Sequence, residues 1–294
     1  MNKADSYLFN AIKEIIDYGY KDVNPRPKYK DGTPAHTYSL NHTIRTYDLS
    51  NGQFPIANLR PIAWKSAIKE VLWIYQDQSN DLNLLKDKYK VSYWDEWESK
   101  DMPDTIGKTY GYIVKKYNLM DRLLKGLINN PYGRRHIIDL YQYEELDNTD
   151  GLMPCAFLTI WNVRNDERTG KEYLDMCLIQ RSGDMLVASG AGGVNEVQYA
   201  ALMMMVSKHC GFETGVFTHF IANEQIYDRH LEQADELMAR YHKLEMDEYL
   251  DGVKPNPQLI LDTGKTNFYE FTIDDFKMIN YNPIRLQIKF DLGI

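Results

Sequence analysis

Residues 195–209, NEVQYAALMMMVSKH, constrain the fold of this chain more than any other stretch. The run is apolar nearly all round, and Gly211 follows it at a position where glycine commonly ends a helix. A helix without a polar face is typical of a protein interior, so the pattern predicts a helix buried in a core. With 294 residues and 44% hydrophobic content, the chain is long and apolar enough to build that core.

Alternating or helically spaced apolar residues predict further elements on both sides of this helix. Helices are predicted over residues 7–16, 62–76 and 224–242, and strands over TYSLNHTIRTYDL, HIIDLYQY, CAFLTIWNV, YLDMCLIQ, VFTHFIA and IRLQIKF. A turn at NDERTG joins the third and fourth of these strands, and KDVNPRPKYKDGTPAH is a long loop. Strands and helices interleave without a regular βαβ rhythm. This order favours an α+β fold, with a large mixed sheet faced by helices in a single domain over residues 1–294.

The number of cysteines and the net charge indicate the cellular compartment of the protein and the classes of partner to expect. There are 3 cysteines, too few for a disulfide framework, and no basic, apolar leader opens the chain, so we expect a reducing, cytoplasmic setting. No apolar run approaches the length of a membrane span, so no membrane partner is expected. The net charge of -8 disfavours a broad nucleic-acid surface and leaves a small anionic ligand open.

Cys155 lies after Pro154 at the entrance of a predicted strand and has two interpretations. It could be a small buried hydrophobe, the interpretation that we also give to Cys177 and Cys210. It could instead be a nucleophile, because the turn at NDERTG folds QRSGD back toward it, and the Arg181 guanidinium would stabilise a thiolate. An Arg-Ser pair can also hold a phosphate. These residues alone leave both interpretations open.

Nine short blocks, taken in their order along the chain, resemble the signature blocks of the thymidylate synthase family. They are DGTPAH, AWKSAIKEVLWIYQ, YWDEW, IGKTYG, NNPYGRRHI, LMPCAF, QRSGD, NEVQY and IYDRH. The closing FTIDDFKMINYNPIRLQIKFDLGI is similar to the C-terminal block of the family, so the resemblance covers essentially the whole chain. GTPAHT and AWKSAIKE resemble most the variety found in some Gram-positive bacteria.

The resemblance implies a methyltransferase that converts dUMP to dTMP. Its co-substrate would be 5,10-methylenetetrahydrofolate, which leaves as dihydrofolate, and no metal would be required. A thiolate that adds to C6 of the pyrimidine makes C5 nucleophilic enough to attack the one-carbon unit. The resemblance also implies an obligate homodimer whose two sites are shared between the subunits.

The resemblance carries roles over to individual residues. The catalytic residues are the nucleophile Cys155, Arg181 beside it, Glu70 for proton transfer toward O4, and Tyr110 near the C5 proton. The dUMP-binding residues are Arg26, Arg134, Arg135, Gln180, Arg181, Ser182, Asn195, Gln225 and Tyr227, and the folate-binding residues are Trp94 and Asp184. Arg134 and Arg135 would reach into the site of the neighbouring subunit, and Lys28 could take the role of Arg26. Glu70 could also be a solvated helix residue, although the apolar residues after it fit burial.

The chain departs from the family pattern near the pyrimidine and the sugar, and these departures keep alternatives open. MLVASGAGGVN is longer than the usual turn before Asn195, and its glycines permit close approach or positive φ. Gln225 stands where the family has a ribose-binding histidine, and Ala156 where histidine is commoner after the nucleophile. One alternative is a pyrimidine nucleotide 5-hydroxymethylase on the same fold, although Asn195 favours a uracil base. Another is a non-catalytic nucleotide- or RNA-binding protein, which would not need Cys155 together with Glu70.

Overall fold

The computed structural model describes residues 2–251 and 256–291. The helices are α1 Lys3–Tyr18, α2 Trp64–Val71, α3 Leu82–Tyr89, α4 Gly111–Lys116, α5 Leu119–Asn129, α6 Tyr143–Leu146, α7 Val194–Cys210 and α8 Leu231–Asp251. The strands are β1 Tyr20–Lys21, β2 Thr37–Asp48, β3 His136–Asp139, β4 Ala156–Asp166, β5 Lys171–Gln180, β6 Gly183–Asp184, β7 Glu213–Tyr227, β8 Gln258–Leu261 and β9 Phe276–Ile279. Single π-helical turns cover Leu72–Gln76 and Met185–Ser189. Residues 292–294, the end of the closing block quoted above, lie outside the described residues.

Helix α7 is the buried helix that the sequence predicts. Its side chains are buried around most of its circumference, and it ends at Gly211, whose φ of 81° is the left-handed conformation that glycine adopts without strain. The helix packs against α2 on one side and against β5 and β7 on the other. It therefore forms the centre of a core between a helical layer and a sheet.

The main sheet is mixed, as predicted. Its strand order is β1-β2-β7-β5-β4-β3, and β6 pairs with β7. Strands β5 and β7 run parallel, as do β6 and β7, whereas the other neighbouring strands are antiparallel. Helix α7 makes the crossover between β5 and β7, and this connection places the end of β5 beside the start of α7. The observed α+β architecture confirms the predicted fold class.

A row of apolar side chains crosses four strands of this sheet and is only half-buried or exposed. Register pairs Ile44 with Phe220, Phe220 with Ile179, and Ile179 with Leu158. Ile44 is 62% exposed. Because residues alternate between the two faces of a strand, this row lies opposite the buried side chains that meet α7. We call it the open sheet face.

Three element predictions are wrong, two at one end and one throughout. Residues 224–227 continue β7 and pair with β2, so the predicted helix begins only at Leu231. Strand β3 stops at Asp139, whose carboxylate accepts the Tyr141 N–H and turns the chain. The segment IRLQIKF forms no strand; hydrogen bonds to distant parts of the chain hold it instead, such as Ile284 N–H to the Asn58 carbonyl at 2.8 Å.

Candidate active site

Cys155 lies at a bend directly before β4. Its backbone N–H donates to the Tyr110 hydroxyl at 3.3 Å, and its carbonyl accepts the Arg181 N–H at 2.9 Å. The second contact follows from the antiparallel register, which pairs Ala156 with Gln180 and so carries Arg181 past the end of β5 to the cysteine. The predicted return of QRSGD toward Cys155 is therefore present in the structure.

Charge and burial compete at the Cys155 thiol. Burial raises its pKa above the usual value, and the charges of Arg181 and Arg26 oppose that shift without cancelling it. The Arg181 side chain is held in place by its Nε, which donates to the Pro154 carbonyl at 3.0 Å, and by Nη2, which donates to the Met153 carbonyl at 2.8 Å. The expected guanidinium stabilisation of the thiolate is thus present, but in the unliganded protein burial outweighs it.

Tyr110 adopts a strained backbone at the start of α4. Its φ of 46° and ψ of -109° lie outside the regions that side chains with a Cβ adopt comfortably. The residue is only 8% exposed, and its ring packs edge-on against Trp94 with 5.4 Å between centroids. Packing and the hydrogen bond to Cys155 hold this conformation, which aims the phenol at the nucleophile.

Glu70 is buried, with 6% of its surface exposed, and not solvated. The Tyr93 hydroxyl donates to its carboxylate. Burial raises the pKa of Glu70, while hydrogen bonding to Tyr93 and Gln198 and the nearby Trp94 indole lower it in part. The indole N–H of Trp94 is buried and makes no hydrogen bond of good geometry to any residue that the structure describes. A carboxyl in this environment holds a proton more tightly than a surface glutamate, as a proton donor requires.

The longer loop before Asn195 folds back onto its own start. Asp184 caps the π-helical turn by accepting the Leu186 and Val187 N–H groups. Gly192 then has a φ of 66°, and a Cβ added there would lie 2.3 Å from the Ala57 nitrogen, so only glycine fits. The expected use of a glycine for positive φ and close approach is therefore confirmed at Gly192.

The Asn195 amide is oriented by two neighbours. Its Oδ1 accepts a hydrogen bond from the Ser189 hydroxyl at 2.9 Å, and its Nδ2 donates to Gln198 Oε1 at 2.9 Å. Gln198 in turn hydrogen-bonds Glu70. Gln180 lies behind this group and is 1% exposed; its Nε2 donates to the Ser182 carbonyl and to the Ser189 hydroxyl. Asn195 keeps one N–H and one lone pair for a ligand.

Tyr227 and Asp184 form the other side of the site. Burial raises the pKa of Tyr227 to about 12, and the charges of Asp184 and Cys155 act in the same direction. Burial also raises the pKa of Asp184, to about 7. Gln225 lies next to Asp184 because the two residues are register partners between β6 and β7. Ser182 follows Arg181 at the turn that leads into β6.

Two predicted arginines lie far from Cys155 of their own chain. Arg134 and Arg135 are exposed and precede β3, whose first residue pairs with Trp161 of β4. Trp161 is six residues along β4 from Cys155, which is roughly 20 Å at about 3.3 Å per residue. The structure therefore brings together the other predicted site residues but not this pair. In the polar loop it is Arg26, not Lys28, whose charge acts on the thiol.

Sequence reasoning missed residues that hold the predicted ones. Gln198 links Asn195 to Glu70, and the only sequence signal was its place one turn after Asn195 in NEVQY. Arg60 donates to the Leu186 and Val187 carbonyls at 2.7 and 2.9 Å and so fixes the loop around Asp184. No local pattern marked Arg60, because its partners are more than a hundred residues away.

Comparison with known proteins bears directly on this site. The model of a protein family described as thymidylate synthase matches residues 6–294. The chain belongs to the thymidylate synthase family. It is 48% identical over the full length of both chains to a thymidylate synthase of Streptococcus sanguinis, and 47% identical to one of Lactococcus lactis. A thermostable thymidylate synthase A from Bacillus subtilis superposes with a TM-score of 0.84 at 33% identity, covering 99% of each chain.

These likenesses confirm the predicted family and the predicted activity. Thymidylate synthase is a methyltransferase, and the relatives share that name along the whole length of this chain. The hydroxymethylase alternative is not favoured, and neither is a protein that only binds. The departures around Asn195 and Gln225 are thus variations within a thymidylate synthase.

Among residues 2–251 and 256–291, no three or more His, Cys, Asp and Glu side chains gather as metal ligands would. No helix in that same part of the chain has the length and apolar character needed to cross a membrane.

Proposed function

We propose that Cys155 is the nucleophile of a thymidylate synthase reaction in which dUMP is methylated by 5,10-methylenetetrahydrofolate. The thiolate bonds to C6 of the pyrimidine, and C5 then attacks the one-carbon unit. The C5 proton leaves, Cys155 is expelled, and a hydride from the folate completes the methyl group, so that dTMP and dihydrofolate are released. No metal takes part in these steps. The observation that carries the proposal is the position of Cys155 between Tyr110 and Arg181.

Positive charge and hydrogen-bonding groups near Cys155 support a nucleotide monophosphate as its substrate. Arg26 and Arg181 act together on the thiol, and Ser182 follows directly, a set that suits a phosphate. We assign the ribose hydroxyl to Tyr227 and Gln225 on β7.

The pyrimidine edge is assigned to Asn195, with Gln180 behind it. The free N–H of Asn195 suits O4 of uracil, and its free lone pair suits N3–H. Gln180 takes part through Ser189, since its own amide N–H groups are used within the protein.

Proton transfer is assigned to Glu70 and Tyr110. As C6 is attacked, negative charge develops on O4, and a buried carboxyl with a raised pKa can supply a proton to it through an ordered polar group. Burial also raises the pKa of Tyr110 well above its usual value, which keeps the phenol neutral and able to accept or pass on a proton near C5.

The folate is assigned to Trp94 and Asp184. Trp94 is 7% exposed and stacks edge-on with Trp97 at 5.7 Å, so Trp97 presents the more accessible ring. Asp184 uses Oδ1 to cap the following turn and keeps Oδ2 for the N–H groups of a pterin.

A homodimer with shared sites is the proposed assembly. The open sheet face offers a flat apolar row of the kind that symmetric interfaces cover, and a second copy of the chain is its proposed occupant. Arg134 and Arg135 lie too far from their own Cys155 to bind its substrate, which supports their use by the other subunit.

We also propose one catalytic domain over residues 1–294 and a cytoplasmic location, the latter supported by the free thiols.

A covalent adduct tests the nucleophile. Incubation with 5-fluoro-dUMP and methylenetetrahydrofolate should leave one nucleotide and one folate on Cys155, because fluorine cannot leave C5 as a proton does. Mass spectrometry of the peptide that contains Cys155 measures the adduct. Folded protein that forms none would remove Cys155 from its proposed role.

The raised pKa of Asp184 predicts that folate affinity increases with pH. Only the ionised carboxyl accepts both pterin N–H groups, and with a pKa of about 7 it is ionised in about a tenth of molecules at pH 6 and about nine tenths at pH 8. The affinity for a folate analogue in the presence of dUMP should therefore rise by up to about tenfold over this range. Titration calorimetry measures it, and D184N should bind weakly at every pH.

Stability has the opposite pH dependence and so serves as a control. The folded-state pKa of Asp184 lies above the ordinary value of 3.8, so folding holds a proton that the unfolded chain releases. This group stabilises the unliganded fold below pH 3.8 relative to higher pH, and that contribution is lost as the pH rises to about 7. A folate affinity that falls in parallel with stability would contradict the assignment.

A further inference from the structure

A buried cluster of four ionisable side chains lies beneath Asn195, and no step proposed above uses it. Arg45 of β2 donates to Glu196 through Nε at 2.8 Å and to Glu224 through Nη1 at 2.5 Å. His219 of β7 places its Nδ1 3.0 Å from Glu196 Oε1. Arg45 is 3% exposed, and the other three are 0% exposed. Such a group is costly to bury unless its charges balance, so its retention calls for a role.

The hydrogen-bond partners of His219 determine which of its ring nitrogens carry a hydrogen. Gln180 Nε2 donates to the Ser182 carbonyl, which can only accept, so the Gln180 amide cannot be flipped and its Oε1 faces His219 Nε2 at 3.1 Å. The Nε2 of His219 must therefore carry a hydrogen.

The other ring nitrogen faces an anion. The Glu196 carboxylate accepts from Arg45, from the Tyr47 hydroxyl at 2.7 Å and from the Gly192 N–H at 2.7 Å, and three donors including a guanidinium keep it ionised. The Nδ1 of His219 must then donate to it as well. Burial lowers the pKa of His219, and the hydrogen bond and charge of Glu196 oppose that shift. The two hydrogen bonds require both ring nitrogens to be protonated, and the cations Arg45 and His219 then balance the carboxylates Glu196 and Glu224.

A series of hydrogen bonds leads from His219 to Asn195 on the substrate side, and in each of them the residue nearer His219 is the donor. His219 donates to Gln180, Gln180 donates to Ser189, and Ser189 donates to Asn195 Oδ1. Each acceptor in this series keeps a hydrogen to donate to the next group. Reversing the Asn195 amide would deprive the Ser189 hydroxyl hydrogen of its acceptor and set Asn195 Oδ1 against Gln198 Oε1. The amide orientation of Asn195 is therefore set from the far end of the chain of bonds.

We propose that Glu196 and His219 are positioning residues that hold the Asn195 amide in the orientation that accepts uracil and rejects cytosine. This inference rests on Asn195 reading the pyrimidine edge, as proposed above. Uracil offers an acceptor at O4 and a donor at N3, whereas cytosine offers a donor at C4 and an acceptor at N3. Flipping the amide exchanges the two preferences.

Removing the charge of Glu196 should release this orientation. In E196Q the ring becomes neutral, because burial disfavours the cation once its anion is gone. Its single hydrogen can then serve only one neighbour. If that hydrogen goes to residue 196, His219 Nε2 and Gln180 Oε1 become two facing acceptors. Turning the Gln180 amide over would relieve that contact only by setting its oxygen against the Ser182 carbonyl, so Gln180 no longer holds Ser189 and Asn195 as it does in the parent. The matched control is E224Q, which alters the other buried partner of Arg45; Glu224 acts on His219 through its charge and not through a hydrogen bond.

The experiment measures equilibrium binding of dUMP and of dCMP to the full-length parent and variants by calorimetry. The ratio of the dUMP affinity to the dCMP affinity should fall at least about tenfold in E196Q and stay near the parent value in E224Q.

A second pair of variants distinguishes the roles of the two ring nitrogens of His219, and it provides the test if E196Q does not fold. Glutamine at position 219 can replace the Nε2 donor, so H219Q should keep the ratio. Asparagine can replace only the Nδ1 donor, so H219N should lose it.

Several outcomes would overturn the positioning role. They are an unchanged ratio in both E196Q and H219N, an equal loss in E224Q and E196Q, or a neutral His219 ring in the nitrogen NMR spectrum of the parent at pH 7. Failure of the proposed function has a different signature, because the parent protein would then form no adduct at Cys155.

Discussion

Replacement of Cys155 by serine should reduce turnover of dUMP by more than about a thousandfold. A serine hydroxyl is far less acidic than a thiol. In the described structure the hydrogen bonds of residue 155 are made with backbone groups and with the Tyr110 phenol, which is bonded to the residue 155 N–H and not to its side chain. The dUMP affinity should stay within about threefold of the parent value, because the phosphate and the base are held by other residues. Steady-state assay of dihydrofolate absorbance and calorimetric binding measure the two quantities.

Cys210 supplies the matched control for this substitution. It is also partly buried, but it lies at the last position of α7, where no role in the reaction is assigned to it. The C210S variant should keep the parent rate. Retention of more than about a tenth of the activity in C155S would show that the reaction does not require a thiol adduct at this residue.

Mixing two inactive variants should restore activity if Arg134 acts across a dimer. C155A lacks the nucleophile and R134A lacks the phosphate contact, so each homodimer has two defective sites. In a hybrid, one site combines Cys155 of one subunit with Arg134 of the other, while the second site carries both defects. Random exchange makes half the dimers hybrid, so an equal mixture should recover about a quarter of the parent activity.

A control mixture tests whether exchange itself causes the recovery. Arg181 contacts the carbonyls of Met153 and Pro154 within one chain, so C155A mixed with R181A should recover nothing. Subunit exchange is followed independently by mass spectrometry of isotope-labelled protein. Exchange without recovery in the Arg134 mixture would show that the two sites are self-contained.

Local sequence patterns predicted those elements in which the order of apolar and polar residues matches the burial of the side chains. Helix α7 follows from a run that is apolar nearly all round, the long strand β2 follows from alternating apolar residues, and Gly211 ends the helix as expected. The errors arise where long-range pairing decides the structure. Residues 224–227 look helical by composition, but their backbone groups pair with β2, nearly two hundred residues away in sequence. Hydrogen bonding across the sheet outweighs local propensity there.

Only some residues of the candidate site were predicted, and the reason is related. Quoted motifs located Cys155, Glu70 and Asn195, and the structure places them around one another. The groups that orient them were not predicted, because Glu196 and His219 lie on separate elements and meet only through the fold. The direction of the pKa shift of the Cys155 thiol could not be predicted from the sequence either. It depends on whether the effect of burial on the pKa exceeds the opposing effect of the nearby positive charges.

The product formed from dUMP and methylenetetrahydrofolate tests the central claim most directly. Purified protein should convert them to dTMP and dihydrofolate in equal amounts, measured by nucleotide mass and by dihydrofolate absorbance. Formation of 5-hydroxymethyl-dUMP without dihydrofolate would contradict the account, because it would mean that water, and not hydride, completes the reaction at this site.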